Sequence, residues 1–196
     1  MGPIYWTDPQ LTFVTQWGSS GSGNGQFNLP MDVALDTAGN IYVTDCNNHR
    51  IQKFDADGNF LAKWGTEGSG DGQFKNPNWI ALDSQNNVYV TESNPNYRVQ
   101  KFSSNGVFLK KWGSIDWDTF NSPQDITVDS SDNVYLADKG NSQILKFDTN
   151  GNLITKWTTL DSDWVTEFSP VGIAVDASGS VYVTADNYVV RYDPAP

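Results

Sequence analysis

Four prolines divide the chain at a nearly constant interval. Pro30, Pro77, Pro123 and Pro170 lie 47, 46 and 47 residues apart. The segments that follow them are similar and read MDVALD, NWIALD, QDITVD and VGIAVD. A polar turn and a second apolar segment, such as IYVTD, then complete a hairpin. A period of roughly 40–50 residues built only of short strand signals is typical of a β-propeller, in which each period is one blade of about four strands. The sequence therefore predicts an all-β propeller with four blades.

Each repeat contains strand signals separated by turns. In the first full repeat they are residues 32–35 (DVAL), 41–44 (IYVT), 51–54 (IQKF) and 60–64 (FLAKW). The intervening turns are rich in Asp, Gly and Asn, which accept backbone hydrogen bonds or tolerate positive φ. A glycine-rich linker leads to the next proline. This order predicts an antiparallel blade with an inner, a second, a third and an outer strand. It also predicts that Trp17, Trp64, Trp112 and Trp157 occupy equivalent places at the ends of outer strands.

The last repeat ends before an outer strand, and the N-terminus carries one. Residues 11–17 (LTFVTQW) have the outer-strand pattern, and a closed ring leaves no exposed sheet edge. We predict that they complete the blade that begins at Pro170, within one propeller domain of residues 11–196. Two ways of closing stay open, a monomer and a strand-exchanged dimer with a larger ring, and so does a fragment of a longer propeller. Residues 1–10 are then a leader or the remnant of a preceding blade.

The repeat resembles a known family. The segment NNHRIQKF at 47–54, within the frame of proline, hairpin, Trp-Gly and Gly-Gln-Phe, resembles the NHL repeat, and the resemblance extends over residues 11–193. It implies a propeller whose loops between the second and third strands lie on a "top" face that binds partners. NHL propellers most often have six blades. The segment IYWTD at 4–8 is similar to a second strand of this chain and to the YWTD repeat, so it is either the remnant of a preceding blade or a leader that covers the sheet edge, and the leader is favoured.

Composition excludes several partners. The 23 acidic and 12 basic residues give a net charge of −11, which repels nucleic-acid backbones and anionic membranes. We expect no nucleic-acid and no membrane partner. A single cysteine, Cys46, excludes an internal disulfide framework. The polar, lysine-poor composition favours an extracellular or cell-surface location.

The activities of the resembling family can be compared with this chain. Amidating lyases of this type hold zinc with several histidines, whereas this chain has only His49. RNA-binding members present a basic top face, whereas the equivalent loops here carry acids. The resemblance therefore implies neither activity. A non-catalytic scaffold that binds a protein, peptide or glycan is the first hypothesis.

Candidate ligand-binding side chains lie on the loops between second and third strands and on two longer linkers. The loop candidates are Asp45, Asn48, His49, Arg50, Glu92, Asn96, Asp138 and Asn141. The alternative is that their acids accept backbone hydrogen bonds or pair with the arginines to stiffen each blade. Trp117 and Trp164 lie on the longer linkers among acids, where exposed aromatics suit peptide or carbohydrate binding.

Two further acids occupy positions that break the repeat. The second residue after each proline is Asp32, Trp79, Asp125 or Gly172. Opposed carboxylates of Asp32 and Asp125 at the channel mouth would hold a cation such as calcium, and the alternative is that they are solvated channel acids. The second hypothesis is therefore a cation-dependent, lactonase-like or lyase-like enzyme.

Overall fold

Four antiparallel sheets form the blades of a four-bladed β-propeller. The computed structural model describes residues 13–115, 118–158 and 169–194. The innermost strands of neighbouring blades contact one another in chain order. The predicted all-β, four-bladed architecture is therefore confirmed.

Within each blade the strands follow one another outward. The inner strands are Pro30–Leu35, Pro77–Leu82, Pro123–Val128 and Pro170–Val175. The second strands are Ile41–Asp45, Val88–Glu92, Val134–Asp138 and Val181–Ala185. The third strands are Arg50–Phe54, Arg98–Phe102, Gln143–Phe147 and Tyr188–Tyr192. The outer strands of blades 1 to 3 are Phe60–Trp64, Phe108–Trp112 and Leu153–Thr158.

Short elements occupy the loops and linkers. Two-residue strands pair at Ser19–Ser20 with Gln26–Phe27 and at Ser114–Ile115 with Asp118–Thr119. Single-turn 3-10 helices lie at Cys46–Asn48 and Lys139–Asn141. In the described ranges, no helix has the length and apolarity needed to cross a bilayer.

Blade 4 differs from the predicted closure. The sequence predicts that residues 11–17 pair with Tyr188–Tyr192, but Phe13–Trp17 forms no strand, and residues 11 and 12 lie outside the described ranges. The described part of blade 4 therefore has three strands. Trp17 nevertheless packs its ring against Phe54 and Gly58 of blade 1, so the segment is held by blade 1 and not by strand pairing with blade 4.

An aspartate caps the first hairpin turn of each blade. In blade 2, Asp83 Oδ1 accepts the backbone N–H of Asn87 at 2.8 Å and Oδ2 accepts the Tyr89 hydroxyl at 2.9 Å. Burial opposes ionisation of Asp83, but these hydrogen bonds outweigh it and lower its pKa. The same arrangement recurs at Asp36, Asp129 and Asp176. These carboxylates are therefore structural parts of the hairpins.

Neighbouring blades are joined by aromatic packing over a glycine. Trp64, at the end of the outer strand of blade 1, packs on Phe102 of blade 2 at 6.0 Å between ring centroids. A Cβ at Gly106 would lie 2.5 Å from the Trp64 ring, so only glycine allows the close approach. Trp112 packs in the same way over Gly151. The predicted equivalence of Trp17, Trp64, Trp112 and Trp157 is borne out by their contacts with the blade that follows.

This packing generates a prediction with a matched control. Gly106 and Gly39 have nearly the same φ, +80° and +82°, but an added Cβ at Gly39 meets its nearest atom at 3.9 Å. Gly39→Ala should lower the free energy of unfolding by about 1–2 kcal/mol, the cost of a left-handed L-residue. Gly106→Ala should cost about 1–3 kcal/mol more, because the Trp64 ring must move. Denaturant unfolding measures both, and equal losses would contradict the proposed role of the Trp–Gly contact.

Candidate functional site

The top face is the end of the propeller that carries the loops between second and third strands, residues 46–49, 93–97, 139–142 and 186–187. In blade 1, the carboxylate of the fully buried Asp45 accepts hydrogen bonds from Arg50 Nε at 2.7 Å and from the Asn28 backbone N–H at 2.8 Å. The Arg50 guanidinium donates in turn to backbone carbonyls of the glycine-rich linker, those of Ser22, Gly23 and Gln26. This network fastens the linker to the blade.

Blades 2 and 3 repeat the network with different side chains. In blade 2, Glu92 Oε2 accepts from Arg98 Nε at 2.6 Å, and Arg98 donates to three linker carbonyls. In blade 3, Gln143 replaces the arginine, and its Nε2 donates to Asp138 Oδ2 at 2.8 Å. Asn141 Nδ2 donates to the same carboxylate at 2.8 Å.

The structure therefore places most loop candidates inside the protein. Asp45, Glu92 and Asp138 are fully buried, and Arg50 is nearly so. The asparagines hold the acids and the linkers, with contacts made by Asn48, Asn96 and Asn141. These contacts correspond to the structural alternative, in which the acids stiffen each blade. Ligand binding by these side chains stays a prediction.

His49 differs from these buried side chains, because it lies between blades 1 and 2. It is half-buried, and its Nδ1 accepts the backbone N–H of Asn76 in the next blade at 3.2 Å. Its backbone lies in the left-handed region, with φ at 54°. The accepted hydrogen bond leaves the proton of a neutral imidazole on Nε2. His49 therefore joins blades 1 and 2.

The loop of blade 2 departs from the repeat. One more residue separates Glu92 from Arg98 than separates Asp45 from Arg50. The added length places Pro95 at the exposed tip and Tyr97 at the position that His49 has in blade 1, with φ at 43°.

The linker beside this loop is also altered. Eight residues run from Gly113 to Phe120, whereas ten run from Gly65 to Phe74. Phe120 nevertheless packs on Phe147, as Phe74 packs on Phe102, which confirms that it replaces the phenylalanine of Gly-Gln-Phe.

The altered loop and linker enclose a groove of about 480 Å³, which we name the blade-2 groove. Its lining residues are Pro95, Asn96, Tyr97, Arg98, Lys111, Trp112, Gly113 and Thr119. Tyr97 and Trp112 also pack against the apolar core between blades 2 and 3. Sequence reasoning did not select Pro95 and Tyr97, although the longer loop with an aromatic in place of His49 was a usable signal.

Asp32 and Asp125 lie at the β-bulges that interrupt the inner strands. Asp32 accepts the backbone N–H of Val33 at 2.8 Å and that of Ile80, in the next blade, at 2.9 Å. Asp125 accepts those of Ile126 and Ile173, each at 2.9 Å. Each carboxylate thus links its blade to the following one.

The surroundings of these two acids affect their protonation. Burial raises the pKa of Asp32 and of Asp125 above the ordinary value, although the accepted backbone hydrogen bonds act in the opposite direction. The charge of Asp32 raises the pKa of Asp125 further. Within the described residues, no group of three or more His, Cys, Asp or Glu side chains is placed to hold a metal ion. Calcium binding at Asp32 and Asp125 stays a prediction.

The two tryptophans of the longer linkers, Trp117 and Trp164, lie outside the described residues. Their exposure and their role in binding therefore stay predictions.

Comparisons with known proteins show which repeat two parts of this chain are similar to. The family model of the NHL repeat matches residues 27–54 and 120–147. Human NHL repeat-containing protein 3 is 47% identical over 47 residues, which cover 23% of this chain and 14% of that protein. Protein lin-41 of Caenorhabditis elegans is 43% identical over 51 residues, 26% of this chain and 4% of that protein. The chain thus spans a small part of the relatives that it matches.

Solved structures share the fold. Virginiamycin B lyase from Staphylococcus aureus superposes with a TM-score of 0.63 at 20% identity, over 84% of this chain and 55% of that one. Kuenenia stuttgartiensis hydrazine synthase superposes with a TM-score of 0.67 at 13% identity, over 89% of this chain and 49% of that one. The chain spans about half the length of these structures, and the likeness concerns the fold alone.

The buried ion pairs generate a prediction. Arg98→Met leaves the Glu92 carboxylate buried beside an apolar side chain, so the free energy of unfolding should fall by about 3–5 kcal/mol. Lys111→Met is the control, because the Lys111–Asp71 pair is exposed and its loss should cost at most about 1 kcal/mol. Denaturant unfolding near neutral pH compares the two. Similar small losses in both variants would show that the buried pair does not fasten the linker.

Proposed function

Because the chain carries NHL repeats folded as a four-bladed β-propeller, we propose that it is a non-catalytic scaffold that binds an extended peptide segment of a protein partner in the blade-2 groove. The observation that carries this proposal is the departure from repeat symmetry. Structural requirements recur in every blade, whereas a binding site needs only one. The blade-2 loop and the linker beside it differ together, at the same place on the top face.

The lining chemistry favours a peptide. Tyr97 and Trp112 present large amphipathic rings at the edge of the core, and Pro95 adds a rigid apolar surface. Aromatic-lined grooves of this kind are used for extended or proline-rich segments. The backbone N–H of Tyr97 donates to the Ser93 carbonyl at 2.9 Å, which fixes this part of the loop. Binding therefore costs little additional conformational entropy of the loop.

The charges of the groove and of the whole chain further restrict the chemistry of the partner. The two cations of the groove are already paired, Arg98 with Glu92 and Lys111 with Asp71, each at 2.6 Å. The chain as a whole carries a net charge of −11. A peptide with an apolar or aromatic anchor and basic flanking residues therefore complements both the groove and the surrounding field.

A second candidate function is a cation-dependent enzyme of the lactonase or lyase type. It is favoured by two carboxylates, Asp32 and Asp125, whose pKa values are raised by burial, that of Asp125 further by the charge of Asp32. A divalent cation between them would remove this repulsion. The candidate has weaker support, because each carboxylate already accepts two backbone N–H groups.

The peptide proposal is tested by selection from a displayed library of random peptides. We expect the enriched peptides to contain an apolar or aromatic residue flanked by Lys or Arg. Tyr97→Ala should weaken their binding at least about 30-fold, the effect that is typical of a hot-spot residue. Lys139→Ala is the control, because Lys139 is an exposed residue of the blade-3 loop. Circular dichroism verifies folding of both variants. Peptides that bind Tyr97→Ala as well as the parent, or a glycan array that binds while peptides do not, would overturn the proposal.

The enzyme candidate is tested by calcium titration. It predicts that calcium raises the melting temperature at neutral pH, that the effect fades as pH falls through the raised pKa values of Asp32 and Asp125, and that Asp125→Asn abolishes it. Asp57→Asn, on an exposed turn, is the control. An unchanged melting temperature in millimolar calcium would remove this candidate.

A further inference from the structure

The face of blade 1 on the side away from blade 2 is uncovered, although its residues match those that are buried elsewhere. Val33 occupies in blade 1 the position that Ile80 has in blade 2, yet Val33 is 54% exposed and Ile80 is 4% exposed. Leu35 is exposed, while its equivalent Leu82 packs against the core between blades 1 and 2. The residues of blade 1 therefore match a blade-to-blade interface, and no described strand covers it. We name it the leading face.

Blade 4 carries the opposite half of such an interface. Val189 corresponds to Ile51 of blade 1, and it is 70% exposed where Ile51 is 0% exposed. Thr184 corresponds to Thr44, whose hydroxyl donates to the Asn78 carbonyl of the next blade at 2.8 Å. Thr184 is exposed. We name this surface, with Ala174 and Tyr182, the trailing face.

The segment Phe13–Trp17 supplies a second, independent observation. Trp17 already packs on blade 1, at Phe54 and Gly58, as Trp64 packs on blade 2 at Phe102 and Gly106. The segment therefore has the position of the outer strand of a blade that would stand before blade 1. Among the described residues, no inner, second or third strand accompanies it.

The aromatic contacts of the other blades show which residue an outer-strand tryptophan accompanies. The outer-strand tryptophan of each other blade lies 6.2–6.4 Å from a tyrosine of its own second strand. These pairs are Tyr42 with Trp64, Tyr89 with Trp112, and Tyr135 with Trp157. The equivalent tyrosine of blade 4 is Tyr182, on the trailing face.

We propose that two copies of this chain close one ring of eight blades, in which the trailing face of each copy packs on the leading face of the other. Phe13–Trp17 of one copy then pairs with Tyr188–Tyr192 of its partner and completes blade 4. Both exposed faces are then covered at once, and Tyr188–Tyr192 gains the outer strand that the described part of blade 4 does not show. The two interfaces are identical and are related by a twofold axis. This inference does not depend on the proposed peptide function.

A second copy fits the curvature better than closure within one chain. Most of the chain superposes on solved propellers of which it covers about half, so its blades follow the curvature of a larger ring. Closing four blades on themselves would require every blade interface to tighten. A second copy supplies a segment of the same size with the matching faces.

The polar pattern along the inner strands also fits this order. Asp32 and Asp125, in blades 1 and 3, bridge to the following blade, whereas blades 2 and 4 have Trp79 and Gly172 at that position. The blades thus alternate between two types. At the junction from blade 2 to blade 3, the backbone N–H of Ile126 is bound by Asp125 of its own blade and not by blade 2. At a junction from blade 4 to blade 1, the backbone N–H of Val33 is likewise bound by Asp32 of its own blade. The two junctions are therefore of the same type.

Light scattering after gel filtration tests the stoichiometry. We expect a mass near 43 kDa, twice that of the 21.7 kDa chain, and Val189→Asp or Leu35→Asp should raise the dimer dissociation constant at least about 30-fold. Leu109→Asp is the control, since Leu109 is equally apolar and exposed but lies on the outer strand of blade 2. Mixing the two face variants should restore dimers, because one of the two interfaces is then free of substitutions. A folded monomer at all concentrations would overturn the proposal.

Disulfide trapping tests the pairing of strands. In blade 1 the third-strand residue Gln52 faces Lys63 of the outer strand, and the equivalent residues are Val190 and Gln16. In a Cys46→Ala background, Gln16→Cys with Val190→Cys should form a disulfide that joins two chains on a non-reducing gel. Leu61→Cys with Val190→Cys is the control and should not form one. A link within one chain, or no link between Gln16→Cys and Val190→Cys, would overturn the proposal.

Discussion

The fold depends on burying an apolar sheet face that a single blade cannot cover. Each blade places the tryptophan of its outer strand on an aromatic residue of the next blade, over a glycine that has no Cβ to obstruct it. Trp64 over Gly106 and Trp112 over Gly151 are two examples. Because such contacts run only between neighbours, stability accumulates from blade to blade, as in other repeat proteins. Any face without a neighbour is left as an exposed apolar surface, and this explains the contrast between Val33 and Ile80.

The polar residues of the top face serve the same scaffold. In blades 1 to 3, the acid at the end of the second strand accepts hydrogen bonds from its own loop. In blades 1 and 2, the arginine paired with this acid also donates to backbone carbonyls of the linker. A buried carboxylate is tolerated only when it is paired and fully hydrogen-bonded. These groups therefore serve the structure in blades 1 to 3. Pro95 and Tyr97 lie outside this repeated network and line the blade-2 groove, which is why the proposed binding site is placed there.

Repetition has two consequences that differ in kind. Inside the chain it supplies complementary faces for successive blades, so the same side-chain packing recurs at each junction between described blades. In blades 1 and 4 it leaves exposed apolar residues, such as Val33 and Val189, at positions that are buried in the other blades. The blade-2 groove arises from the opposite cause, a local change in loop and linker length that the rest of the blade absorbs without losing its contacts, as Phe120 shows.

The sequence alone determined the all-β propeller, the four blades, their strands and the equivalent tryptophans, because these follow from a repeat whose period and polarity are visible in one dimension. It also identified Asp45, Glu92 and Asp138 as residues of interest, but not their burial. The tertiary structure decided that they face their own linkers, that Pro95 and Tyr97 border a groove, and that Phe13–Trp17 packs on blade 1 without pairing with blade 4. The physical reason is that side-chain partners and strand pairing across the ring depend on the curvature between blades, which no local pattern of residues encodes.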